Sequence, residues 1–200
     1  MGKIFYIIGK SSTGKDTIYK RLLADQELNL KPIVIYTTRP IREGERQGRE
    51  YFFTDEEGLE QIRRDGKLIE LRAYDTIFGV WKYFTADYEQ IDLGHEDYLM
   101  IGVLDSFHAV REYYGWDRVI PVYIEVEDGE RLQRALNRER QEQHPKYKEL
   151  CRRFLTDSED FSEEKIQAEQ IGRRFYNREL EDCVKEIRVF ILDTCAVDRK

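Results

Sequence analysis

The chain has 200 residues, 40% of them hydrophobic and 36% charged, enough apolar material for one α/β domain carrying inserts. Its formal net charge of -7 argues against a broad nucleic-acid-binding face. The apolar runs are too short for a signal peptide or a membrane span, and the three cysteines, Cys151, Cys183 and Cys195, lack CxxC spacing, so the chain reads as a cytoplasmic protein with reduced thiols.

In chain order, the run Ile4-Phe5-Tyr6-Ile7-Ile8 predicts a buried strand that Gly9 ends. Residues 15–24 predict a helix with Ile18, Leu22 and Leu23 on one side, and residues 32–36 a second buried strand. A loop rich in arginine, glycine and glutamate follows over 37–50. Residues 51–53, 68–74 and 77–84 are aromatic and strand-like, with a polar helix over 55–65. Another strand is expected at 98–104, with a helix after Asp105, then a strand at 119–126 and a helix at 128–140. Charged helical sequence runs on to about residue 174, and a helix over 180–192 closes the chain. Alternating strands and helices predict a parallel sheet covered on both faces. The strand-rich stretch 39–84 and the charged stretch 138–174 break that rhythm and read as substrate-binding or lid inserts.

The first chemically informative segment is Gly9-Lys10-Ser11-Ser12-Thr13-Gly14-Lys15-Asp16-Thr17. It is a GxxxxGK motif between a strand and a helix, the context that a P-loop requires. Glycines allow the backbone to wrap an anion, and N–H groups at the helix start hold phosphate oxygens. Lys15 can reach the β- and γ-phosphates of ATP. Asp16 stands where Ser or Thr usually follows the lysine, so a Mg²⁺ ion would be held by Thr17 or by Asp16, directly or through water.

The second segment runs Thr37-Thr38-Arg39-Pro40-Ile41-Arg42-Glu43-Gly44-Glu45 and closes with Gly48-Arg49-Glu50-Tyr51-Phe52-Phe53. Two arginines three apart can present planar forks to one phosphate, and Tyr51 can add a hydroxyl donor. A solvated charged hairpin has the same composition. The P-loop followed by TTRPxRxGE…GRxYxF resembles guanylate kinase, and weaker matches follow in order: Leu68-Ile69-Glu70, Phe78-Gly79, Leu104-Asp105, Arg134 and Arg138, Arg152-Arg153-Phe154, and Tyr176-Asn177-Arg178-Glu179.

The resemblance implies a P-loop NTPase core with a parallel sheet flanked by helices, at about 1–36, 86–130 and 175–200. A small strand-rich NMP-binding insert would span about 37–85 and a helical lid about 131–174. It implies transfer of the γ-phosphate of ATP to GMP or dGMP, with Mg²⁺ as cofactor and small nucleotides as the partners, without nucleic acid or membrane. Gly9, Ser11, Ser12, Thr13, Gly14, Lys15, Asp16, Thr17 and Asn177 would bind ATP. Thr38, Arg39, Arg42, Tyr51, Glu70, Phe78, Gly79 and Asp105 would bind GMP, with Glu70 and Asp105 accepting from the N1–H and amine of guanine. Lys15, Arg134, Arg138 and Arg153 would be the catalytic cations; for the arginines the bland reading is a helix laced with Arg–Glu pairs. The chain departs from the family at Ile35, where a serine near guanine O6 is usual, at Phe78 and Val80, which lack hydroxyls, and at Val103, where a strand aspartate is common. Those departures keep open a kinase for another nucleoside monophosphate. A non-catalytic phosphopeptide-binding module of the same family is a further alternative, disfavoured by the intact Gly14 and Lys15.

Overall fold

The computed structural model describes residues 2–76, 79–88 and 90–197. The first half of the chain forms β1 (Ile4–Ile8), α1 (Lys15–Leu23), β2 (Lys31–Pro32), β3 (Tyr36–Thr37), β4 (Phe52–Phe53), α2 (Glu56–Arg64), β5 (Leu68–Thr76) and β6 (Gly79–Ala86). The second half forms β7 (Tyr98–Ile101), α3 (Leu104–Tyr114), β8 (Val119–Glu125), α4 (Asp128–Glu139), α5 (Tyr147–Asp160), α6 (Glu163–Ala168), β9 (Arg174–Tyr176) and α7 (Leu180–Val197).

All five residues of β1 are buried, as a central strand of a covered parallel sheet requires. The sheet order is β2-β7-β1-β8-β9, and every pairing is parallel. Successive side chains of β1 point to opposite faces. Ile4, Tyr6 and Ile8 pack with Phe107 and Val110 of α3, whereas Phe5 and Ile7 pack with Ile18 and Leu22 of α1 and with Ile187 and Ile191 of α7. Burying each such side chain contributes roughly 1.5–3 kcal/mol. The alternating burial therefore fixes both helix layers and puts the loop after Ile8 at the strands' C-terminal edge, where ligands of parallel sheets bind. The three cysteines are free thiols, and burial pushes that of Cys183 up to about 11.

A second sheet, ordered β4-β3-β6-β5, stands beside the first. It packs against α2 through Leu59, Ile62, Phe84 and Ala86. Asp55 caps α2 by accepting the Gly58 N–H at 2.8 Å.

Three expectations change. The strand expected at 32–36 is two strands: β2 pairs with β7, and β3 pairs with β4 and β6. Between them Val34 leaves both sheets, and the Gln90 amide satisfies its N–H and carbonyl at 3.1 Å each. The strand expected to run to residue 104 ends at Ile101, because Gly102 and Val103 turn the chain into α3. Gly102 has no room for a Cβ, which would meet the Tyr6 hydroxyl at 2.3 Å. The charged stretch to residue 174 resolves into α5 and α6, with Ser162 capping the latter.

Phe84 is fully buried and stacks on Tyr36 at 5.2 Å between centroids. Phe84→Ala should therefore cost about 3–5 kcal/mol. Leu155→Ala, on the exposed side of α5, should stay within about 0.5 kcal/mol of the parent. Denaturant unfolding of the two variants measures the contrast.

Candidate active site

The P-loop starts where β1 ends. A Cβ on Gly9 would sit 2.5 Å from the Ile124 carbonyl. Gly14 has φ 85°, and a Cβ there would sit 2.5 Å from Nδ2 of Asn177. Asn177, itself buried, donates from that nitrogen to the Thr13 carbonyl at 2.7 Å, and the Thr13 hydroxyl donates to the Lys10 carbonyl at 2.9 Å. Ser12 also lies in the left-handed region, at φ 65°. Asn177 thus shapes the cradle from behind. No side chain caps α1 at Gly14, so the first N–H groups of this helix are available to an anion. Lys15 is largely buried beside them, and burial lowers its pKa, with Asp16 and Asp157 opposing that shift.

The lid cations divide into two groups. Arg138 Nη2 donates to the Ser12 hydroxyl at 3.3 Å, and Arg153 Nη2 to that of Ser11 at 3.2 Å, so both reach the cradle. Arg134 instead bonds to Glu130 and to the Asn177 carbonyl, where it steadies the back of the P-loop. Arg131, absent from the sequence expectations, is the buried cation of α4. It contacts Asp128, the Ser11 carbonyl and Asp157, and lies 4.2 Å from the Phe154 ring centroid. Its i, i+3 spacing from Asp128 was a readable signal. Asp157 of α5 also accepts the Ser11 backbone N–H at 2.8 Å, so a lid carboxylate occupies one donor of the cradle.

A cavity of 510 Å³ opens between the cradle and the second sheet. Lys15, Asp16 and Arg153 line one part of it, Tyr51, Arg72, Tyr74, Trp81 and Tyr83 another, and Ile35 with Ile101–Val103 a third. Arg39 is almost wholly buried and forked onto Glu45 at 2.8 and 3.0 Å, with the Tyr51 and Phe53 ring centroids 5.3 and 5.4 Å away. The hydrogen bonds it donates to Glu45 raise its pKa. Arg42 is exposed and lies 5.8 Å from the centroid of Trp81. Thr38 accepts the Lys82 N–H at 3.0 Å and ties the loop to β6. Glu70 is half-buried, and its carboxylate is engaged by Arg72 and Thr85.

Several expected site residues fall elsewhere. Asp105 is exposed in the first turn of α3, where an acidic residue suits the helix dipole, and it lines a separate cavity with His108, Lys165 and Glu169. Val103, two residues earlier, lines the 510 Å³ cavity. Thr17 is exposed and Gly79 opens β6, and neither lines this cavity. Phe78 lies outside the described residues.

The two candidate metal ligands, Asp16 and Thr17, are both exposed at the start of α1, and of the two Asp16 lines the cavity. Among the described residues no three His, Cys, Asp or Glu side chains are grouped to hold an ion. One carboxylate in the phosphate cavity suits Mg²⁺, which is held chiefly by nucleotide oxygens and water.

The guanylate kinase family model matches residues 1–191. The guanylate kinase of Porphyromonas gingivalis is 31% identical over 191 residues, covering 94% of this chain and 95% of the relative. This chain belongs to the guanylate kinase family. The guanylate kinase of Anaplasma phagocytophilum is 29% identical over 140 residues, covering 68% of this chain and 63% of its own. A crystal structure of guanylate kinase from that organism shares the fold, with a TM-score of 0.59, 20% identity and coverage of 96% of this chain and 86% of its own. The guanidinium of Arg72, which no motif announced, also lines the cavity. Its signal was positional: residues i and i+2 of one strand share a face, which puts Arg72 beside Glu70.

Asp157→Ala frees the Ser11 N–H while leaving Asp128 to Arg131. Binding of ADP should tighten about three- to tenfold, as expected for removing a contact of roughly 1 kcal/mol. Isothermal titration calorimetry reads this directly; unchanged affinity would mean that the Ser11 N–H takes no part in holding the nucleotide.

Proposed function

We infer that this chain is a cytoplasmic guanylate kinase, transferring the γ-phosphate of ATP to GMP or dGMP to give ADP and the nucleoside diphosphate. The observation that carries the reading is the single cavity shared by Lys15, Arg153 and the aromatic wall of the second sheet. Donor-phosphate cations and a base-sized aromatic surface face one space, as a two-substrate phosphoryl transfer needs.

In this reading the chain divides into a core, an acceptor insert over about 37–85 and a lid over about 131–174. Lys15 and the N–H groups at the start of α1 hold the β- and γ-phosphates of ATP. Asp16 would hold Mg²⁺, whose charge supports the transferring phosphoryl oxygens. Arg42 and the Tyr51 hydroxyl hold the acceptor phosphate, and Arg39, forked on Glu45, sets the shape of their loop. An acceptor phosphate oxygen attacks the γ-phosphorus in line, the bond to the β-bridging oxygen breaks, and ADP leaves with that electron pair. Charge spreads over the three transferring oxygens, where Arg138 and Arg153 stabilise it. No covalent intermediate is needed, since positioning and electrostatics supply the acceleration. Apolar Ile35, Ile101 and Val103 help to exclude water.

An ADP-release assay over the common NMPs and dNMPs tests the reading, with GMP or dGMP expected to lead. Lys15→Ala should remain folded and lose at least about 10³-fold in kcat. Arg42→Ala should raise the acceptor KM about tenfold or more with the ATP KM nearly unchanged, the loss of one charge-assisted phosphate contact. A pyrimidine nucleotide or AMP leading the panel would overturn the base assignment, and near-parental turnover by Lys15→Ala would overturn the P-loop assignment.

A further inference from the structure

The acceptor cavity holds a cation where a purine would be read. Arg72 lies on β5 two residues beyond Glu70 and lines the cavity. Its Nε donates to Oε2 of Glu70 at 3.0 Å and its Nη2 to Oε1 at 3.2 Å. The Thr85 hydroxyl donates to the same Oε1 at 2.7 Å. The Glu70 side chain is 6% exposed and that of Arg72 20%. Burial works to lower the Arg72 pKa, but the charge and hydrogen bonds of Glu70 outweigh it and hold the guanidinium firmly charged.

This geometry changes what each group can offer a base. Oε1 of Glu70 already accepts two bonds and Oε2 one, so Glu70 cannot take both the N1–H and the amine of guanine without losing partners. The second expected carboxylate, Asp105, lines another cavity, and Val103 faces this one. Ile35 brings no hydroxyl to guanine O6. Arg72, however, spends only two of its five N–H vectors on Glu70, through the edge formed by Nε and Nη2. The end-on fork of Nη1 and the second Nη2 proton remains for a ligand.

We propose that Arg72, oriented by Glu70 and Thr85, is the base-reading residue and recognises guanine through O6 and N7. The inference rests on the GMP reading above. O6 and N7 are adjacent acceptors that match a guanidinium fork, whereas adenine sets an amine donor against it and pyrimidines lack N7. The exocyclic amine of guanine then carries little of the selectivity, and hypoxanthine satisfies the same fork.

Acceptor analogues test this on the unaltered protein. IMP keeps O6 and N7 but lacks the amine, and its kcat/KM should fall within about threefold of that for GMP. 7-Deaza-GMP replaces N7 by C–H and should lose roughly 10-fold or more, the scale of a bidentate base contact. Arg72→Lys keeps the charge and a partner for Glu70 but lacks the fork; its preference for GMP over AMP should shrink by roughly 10-fold or more. If IMP falls roughly 100-fold while 7-deaza-GMP matches GMP, the amine edge is being read and the inference fails with the kinase intact. If no guanine nucleotide accepts phosphate, the functional reading fails and takes this one with it.

Discussion

A lysine at the N-terminus of a helix sits at the positive end of the dipole, and burial removes the water that would offset its charge. Lys15 is held under both conditions. The surroundings enforce the arrangement: Gly9 and Gly14 allow contacts that a Cβ would forbid, and the Asn177 amide closes the loop from behind. Arg138 and Arg153 add positive charge at the two serines. Such a site is relieved by an anion, and in the proposed reaction the field that attracts the donor phosphates would also stabilise them during transfer. The carboxylate of Asp157 on the Ser11 N–H is a small internal answer to the same demand.

The acceptor half solves a different problem, that of holding guanidinium groups in fixed planes. Arg39 is clamped by both oxygens of Glu45 and flanked by aromatic rings, and Arg72 is clamped by both oxygens of Glu70. Ion pairs of this kind contribute little net stability. Their effect is to fix orientation. Glu70 is thereby a positioning residue for its neighbour, a role that a motif match to a base-binding carboxylate does not convey.

Much of this was legible in the chain. The P-loop was readable because its glycines, lysine and flanking elements all answer to one local requirement, phosphate wrapping. The loop after β3 was read from its paired arginines and closing aromatics as a phosphate clamp; in the structure Arg39 is spent on Glu45 and Arg42 is exposed. What escaped depended on long-range choices. Residues 32–36 are uniformly compatible with a strand, and only the competition between two sheets, with Gln90 satisfying the gap, divides them. Asp105 looked like a strand-end carboxylate, but Gly102 ends β7 early and hands that residue to the first turn of α3. Arg131 and Arg72 were hidden among many charged residues, since burial and pairing, not residue type, set them apart.

The lid is joined to the core by contacts of an unusual kind. Among the described residues, α4 buries only Arg131 and α5 buries none, although the chain beyond α5 is anchored in the core by Phe161 and Ile166. Ahead of those anchors the attachment of α5 is polar: Asp157 to Arg131 and Ser11, Arg153 to Ser11, and the Phe154 ring against a guanidinium. Detaching this helix exposes little oily surface, so its release carries a small heat-capacity change. Dissolved salt weakens the attachment far more than it weakens the β1 core. Temperature and ionic strength therefore act on separate parts of the molecule, one on its folding and the other on access to its phosphate site.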